Sequence, residues 1–107
     1  MNEVIDKRAA MCERINELAV RFLQRCSQDM VLLRALVIRL HGGDNSAFKE
    51  LEYLAHRVSG TGATLGFASL SLSAGAIERL AEAQSTVLLS ECMVELEQEI
   101  ERLAGRT

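Results

Sequence analysis

Residues 55–78 read AHRVSGTGATLGFASLSLSAGAIE, and their spacing decides how the chain is built. At about 100° per residue, Ala55, Val58 and Gly62 share one face with Phe48 and Leu51 just upstream, all within a sector of roughly 80°. That sector is the buried stripe of an amphipathic helix. After Gly66 the apolar rhythm resumes through Leu70, Ala74, Ile77 and Leu80 or Ala81, which predicts a second helix after a short turn. His56 lies about 140° from the centre of the first stripe, so it projects outward. Lys49, Tyr53, Gly60, Ala63 and Thr64 lie on the same outer face.

The glycines near His56 are costly for a helix. Each interior glycine loses about 1 kcal/mol relative to alanine, so Gly60 and Gly62 together give up about 2 kcal/mol of local stability. Gly62 points inward, where close helix packing accounts for it. Gly60 points outward, and a clearing beside His56 is the more economical explanation. Imidazole, with an ordinary pKa of about 6.5, is a good nitrogen nucleophile near neutral pH and needs no activating base.

Working outward, the rest of the chain also reads as helix. The 107 residues contain no proline, and apolar/polar alternation never lasts long enough for a half-buried strand. A first helix is predicted over roughly Glu3 to Arg25, with Ile5, Ala9, Cys12, Ile15, Ala19, Phe22 and Cys26 stepping at three or four residues. Ser27 reads as the N-cap of a second helix, which carries Met30, Leu33, Leu36, Val37 and Leu40 and stops at Gly42 and Gly43. His41 is expected there to meet the last carbonyls of that helix. Ser46 reads as the N-cap of the helix that holds His56. From about Thr86 the last helix repeats Leu89, Met93, Leu96, Ile100 and Leu103, a bundle or coiled-coil seam. Short connections between long helices imply antiparallel neighbours. The expected fold is all-α: an up-and-down antiparallel four-helix bundle with an additional N-terminal helix, forming one domain over residues 1–107.

Composition narrows the function. With 12 basic and 15 acidic residues, net charge −3, no basic stripe invites nucleic acid or an anionic membrane. No apolar run is long enough to span a bilayer, and MNEVIDKRAA lacks the apolar core of a signal peptide, so a cytoplasmic location is expected. Cys12, Cys26 and Cys92 are odd in number and lack a C-x-x-C spacing, and are expected to be reduced, mostly buried small apolar residues. Neither His41 nor His56 has a second ligand at helical i, i+4 spacing, so no metal site is expected. GTGATLG lacks the G-K-[ST] ending of a phosphate loop and follows a helix instead of a strand. No nucleophile–base constellation or carboxylate pair stands out, so a self-contained enzyme is not expected.

Residues 55–78 resemble the signature of histidine-containing phosphotransfer (HPt) domains of bacterial phosphorelays. The family pattern is matched by Ala55-His56, Val58, Gly60, Thr61 with Gly62, Thr64, Leu65 and Gly66. Downstream, Leu70, Ala74, Ile77 and Glu78 match its spaced leucine, alanine, aliphatic and glutamate, and Phe22 is similar to its upstream aromatic. The resemblance implies a phosphohistidine carrier without autonomous turnover. A receiver domain bearing a phosphoaspartate would dock on the exposed face, and His56 would take the phosphoryl group on Nε2 and pass it to another receiver aspartate. The implied partners are response-regulator receiver domains, a hybrid histidine kinase, or both. Magnesium would sit on the receiver, so no cofactor is expected on this chain, and the protein is expected to be a monomer. Tyr53, Gly60, Ala63 and Thr64 are the expected contact floor and Lys49 the rim, with Ser59 and Arg57 also among the expected phosphate or receiver contacts.

One departure from the family stands out. Many members carry lysine three residues after the histidine, where this chain has Ser59. A charge-assisted hydrogen bond is worth about 1.5 to 3 kcal/mol and a neutral one about 1, so Ser59 would replace only part of that interaction, and Ser59→Lys is expected to strengthen phosphorylation or slow phosphate loss. Arg57 points some 100° further round the helix. Two alternatives remain: a helical docking module that binds a receiver or histidine kinase without accepting phosphate, and a bundle that dimerises through the Leu89 to Leu103 seam.

Overall fold

A computed structural model describes residues 2–106, with the side chains of Asn2, Glu3 and Ile5 outside the description, and with them the expectation for Ile5. The described residues form α1 (Asn2–His41), α2 (Ala47–Thr64), α3 (Ala68–Glu82) and α4 (Leu89–Ala104). Contacts join α1 to α2, α2 to α3, α3 to α4 and α4 back to α1, so the helices close a ring around one core. The inner stripe of each helix is the one its spacing predicts: Leu33 and Leu40 on α1, Leu51 and Val58 on α2, Leu70 and Ile77 on α3, Leu89 and Leu96 on α4, all buried. The Leu89 to Leu103 seam is thus consumed inside the bundle and is not a free dimer face.

The expected additional N-terminal helix is not a separate element. α1 runs unbroken for 40 residues, and Ser27 sits inside it. The Ser27 hydroxyl donates to the carbonyl of Leu23 at 3.2 Å, the back-bond that lets serine stay within a helix instead of capping one. No glycine or proline interrupts residues 1–41, so nothing in the backbone enforces a break. Only the C-terminal half of α1 belongs to the bundle. Among the described side chains Leu23 is its first buried residue; Ala9, Cys12 and Ile15, read as inward-facing, are exposed because no other helix reaches them.

The turns depart from expectation in their details. Ser46 stands at the N-cap of α2 but makes no side-chain capping bond. Its backbone N–H and its hydroxyl instead donate to Asp44 Oδ1 at 3.2 and 2.5 Å, and Arg39 Nε donates to Asp44 Oδ2 at 2.9 Å. The Ser46 hydroxyl first, and Arg39 next, hold the Asp44 carboxyl below its ordinary pKa. His41 pairs with the hydroxyl of Ser90 on α4 at 3.3 Å, while Gly42 and Gly43 bond the last carbonyls of α1. Gly43 and Gly66 take φ values of +92° and +86°, left-handed closures that glycine adopts without strain. α4 starts at Leu89, three residues past the expected Thr86, after Leu88 at φ +65°.

The cysteines divide by their place in the bundle: Cys26 is buried, Cys92 half-buried and Cys12 exposed. Burial first, and Asp29 next, push the Cys26 thiol up to about 12. At pH 8 only about one Cys26 in ten thousand is then a thiolate, so iodoacetamide on the native protein is expected to label Cys12 and spare Cys26 until denaturant is added. Peptide mass mapping of the alkylated sites checks this.

The α2–α3 pair is the tightest contact near His56. A Cβ on Gly62 would stand 2.9 Å from Leu70 Cδ2 and 3.6 Å from both Phe22 Cζ and Ser71 N, whereas a Cβ on Gly60 would meet nothing within 4 Å. Gly60→Ala is therefore expected to stabilise by about 0.5 to 1 kcal/mol through helix propensity, while Gly62→Ala destabilises by about 1 to 2 kcal/mol because Leu70 must move. Urea unfolding of the two variants, followed by circular dichroism, measures both signs.

Candidate functional site

α2 and α3 build the site between them. The inner stripe of α2 faces the core, so His56 stands on the outer side with its side chain 72 % exposed. The next helix brings Glu78 alongside, and the His56 Nδ1 to Glu78 Oε2 distance is 2.5 Å. A carboxylate has no proton to donate, so Nδ1 carries the hydrogen and donates it. In the neutral ring Nε2 is then the nitrogen that keeps the lone pair, and it has no hydrogen-bond partner among the described residues. Glu78 was legible only as a family glutamate; its 22-residue separation from His56 hides any local signal of the pairing.

The face around His56 is nearly bare. His56, Arg57, Gly60, Thr61 and Thr64 line an open depression of about 430 Å³. Ala63 is exposed on the same side, and the Thr64 hydroxyl is occupied in donating to the carbonyl of Gly60 at 3.0 Å. Tyr53 is 68 % exposed, and together with Lys49 and Arg57 it lines a neighbouring groove of about 520 Å³ between α1 and α2. Lys49 has no ion pair among the described residues.

Two of the expected phosphate-side residues are committed elsewhere. Ser59 turns into the α2–α3 seam, where its hydroxyl donates to the carbonyl of Ser71 at 2.9 Å and the Ser71 hydroxyl donates back to the carbonyl of Ser59 at 2.8 Å. Arg57 turns the other way, toward α1, and donates from Nη2 to both oxygens of Asp29 at 3.1 Å. Asp29 is the buried charged residue of the core and is also bonded by Arg25 Nε at 3.3 Å. Arg79, which the sequence reading passed over, folds back along α3: its Nη1 and the Ser59 hydroxyl oxygen each lie 3.5 Å from where a Cβ on Gly75 would stand. Among the described residues Arg79 has no ion pair, and no group of histidine, cysteine and carboxylate side chains could hold a metal ion.

The site is thus an exposed imidazole on a helical bundle, with one ring nitrogen tied to a carboxylate from the neighbouring helix. The chain belongs to the Hpt domain family, whose description matches residues 17–106. That family carries a phosphotransfer-related role and interacts with receiver domains and kinases. No curated protein and no solved structure matches the chain significantly. Among the described residues no helix is long and apolar enough to cross a membrane.

The Asp29 bridge has a measurable weight. Breaking a fully buried pair costs about 3 to 5 kcal/mol, but Arg57 and Arg25 are 38 % and 61 % exposed and water screens them. Asp29→Ala is expected to lower stability by about 1 to 2 kcal/mol, read as a drop in the urea midpoint.

Proposed function

We propose that this protein is a phosphorelay intermediary that accepts a phosphoryl group on His56 Nε2 from a receiver phosphoaspartate and hands it to another receiver aspartate. The observation that carries the proposal is the Nδ1–Glu78 contact of 2.5 Å on an otherwise open face. Glu78 selects the tautomer whose Nε2 lone pair points outward, and Gly60 leaves room for a broad partner surface to reach it. In the transfer the Nε2 lone pair forms the N–P bond as the aspartyl O–P bond breaks, and that electron pair leaves with the aspartate carboxylate. The ring becomes positive while keeping its Nδ1 proton. Glu78, already bonded to that proton, offsets the charge, and the reverse sequence returns the phosphoryl group to a second aspartate.

The remaining roles follow from position. Tyr53, Gly60, Ala63 and Thr64 form the docking floor and Lys49 its rim. Ser59 supports the α2–α3 seam instead of meeting the phosphate, and Arg57 serves α1 packing. Magnesium belongs to the receiver's acidic pocket, so the proposal asks for no cofactor on this chain. Docking is transient, with an interface below about 1,200 Å² in total.

The test is phosphoryl transfer from a labelled, phosphorylated receiver. Wild type is expected to acquire an acid-labile, alkali-stable label that His56→Gln lacks. Glu78→Ala removes a charge-assisted bond worth about 1.5 to 3 kcal/mol, so its transfer rate is expected to fall about tenfold to a hundredfold, with Glu78→Gln falling less because its amide oxygen still accepts from Nδ1. If several receivers bind yet no label moves, the protein is a docking module and the carrier proposal fails.

A further inference from the structure

A phosphoryl group on His56 would bring about two negative charges onto a face that is already acidic. Glu78 stands 2.5 Å from Nδ1. Glu52 lies one turn before His56 on α2, and Glu82 one turn beyond Glu78 on α3. The cations nearby are fewer. α2 carries Lys49 and Arg57, and α3 carries Arg79. Arg57 is bonded to the buried Asp29, and Lys49 lies two turns back along α2. Arg79 is exposed and has no ion pair among the described residues, although Glu78 precedes it directly and Glu82 follows within a turn.

Two small residues set the place of the Arg79 guanidinium. Gly75, one turn before Arg79 on α3, is buried, and a Cβ there would stand 3.5 Å from Arg79 Nη1 and 3.5 Å from Ser59 Oγ. Both atoms lie that close to one point, so they are no farther apart than twice that distance. Helical side chains lean toward the helix N-terminus, and the bare backbone at Gly75 is where an arginine four residues later comes to rest. Ser59 is short, and its hydroxyl is turned to the Ser71 carbonyl. Position 59 of α2 and the guanidinium from α3 thus share one corner of the seam. The two helices run antiparallel here, with Ser59 meeting Ser71 and His56 meeting Glu78. Arg79 therefore leaves α3 level with His56 and rests beside Ser59, one turn away.

We propose that Arg79 is the cation that meets the phosphoryl oxygens on His56, reaching from α3 to the corner that Ser59 leaves uncharged on α2. The inference rests on His56 being the phosphoryl acceptor and names the group that steadies the phosphoryl there. No ion pair holds the side chain over Gly75, so rotation about its own bonds carries the guanidinium the one turn to His56 without moving either helix. Its planar fork offers paired N–H groups to two phosphoryl oxygens, which a serine hydroxyl cannot do. Glu78 and Arg79 then act on opposite sides of the ring: the carboxylate accepts from Nδ1, and the guanidinium donates to the oxygens beyond Nε2.

Phosphoramidate separates this inference from the receiver chemistry, because it gives its phosphoryl group to histidine directly. The P–N bond of the reagent breaks, ammonia leaves with the electron pair, and the new N–P bond forms at the ring. On the full chain phosphorylated in this way, phosphorus NMR follows the titration of the phosphoryl group. A nearby cation favours the dianion and lowers the midpoint, so Arg79→Gln is expected to raise it by about half a pH unit and Arg79→Lys to bring most of that back. With a phosphorylated receiver as donor, Arg79→Gln is expected to slow transfer about threefold to tenfold and to leave the affinity for the unphosphorylated receiver unchanged. Ser59→Lys in that background is expected to recover part of the rate. Arg79 is exposed, so the variants should keep the helical circular dichroism of the wild type. An unmoved midpoint in Arg79→Gln overturns the proposal, as does an equal loss of affinity for the unphosphorylated receiver, which would make Arg79 a docking contact only. If phosphoramidate labels His56 and the midpoint moves while no receiver transfers, the carrier reading fails and the role of Arg79 stands. A His56 that phosphoramidate leaves unlabelled overturns both.

Discussion

Everything at the site depends on how closely α3 approaches α2. Gly62 has no Cβ where one would stand 2.9 Å from Leu70, and that missing atom lets the two helices close. Directly beside it, Ser59 and Ser71 bond across the seam in both directions, so backbone and hydroxyl of each helix are tied to the other. Two helices held this way have little freedom to slide. The register that seats Leu70 under Gly62 also sets Glu78 against His56, about two turns further along α3. A shift of one residue would turn Glu78 by about 100° and lose the imidazole.

The chemistry of the site is therefore carried more by a carboxylate than by a cation. Arg57, next to His56 in sequence, is drawn to the buried Asp29 on α1, where a carboxylate without a partner would be costly. Position 59, where much of the family has lysine, holds a serine that braces the helix pair. Glu78 does what a nearby cation cannot: it accepts the Nδ1 hydrogen of His56. Among the described residues Lys49 and Arg79 form no ion pair.

α1 shows how one helix can serve two surfaces. Because its apolar stripe keeps step over its full length, the seam that builds the core in the C-terminal half becomes an exposed strip in the N-terminal half. The bundle ends where α2, α3 and α4 end.

The helical class, the inner stripes of α2, α3 and α4, and the outward direction of His56 were all legible in the sequence. Each depends on spacing within a single helix, and the 3.6-residue period leaves one solution when apolar residues recur this regularly. The same logic failed at Ser27, because a serine's preference for capping is weak against a stripe that runs uninterrupted from Leu23 to Leu40. It also misread Ala9, Cys12 and Ile15 as buried: periodicity reveals which face is apolar but not whether another helix is there to cover it. The partners of Ser59, Arg57 and His56 were beyond its reach altogether. Their contacts lie on α3 and α1, between 12 and 28 residues away, and a hydrogen bond depends on where two helices stand relative to each other. The sequence by itself determined a histidine on an open helical face. Only the packing of α3 and α1 against that helix decided which nitrogen is free and which neighbours are already bound, because those choices are made by distances between chain segments.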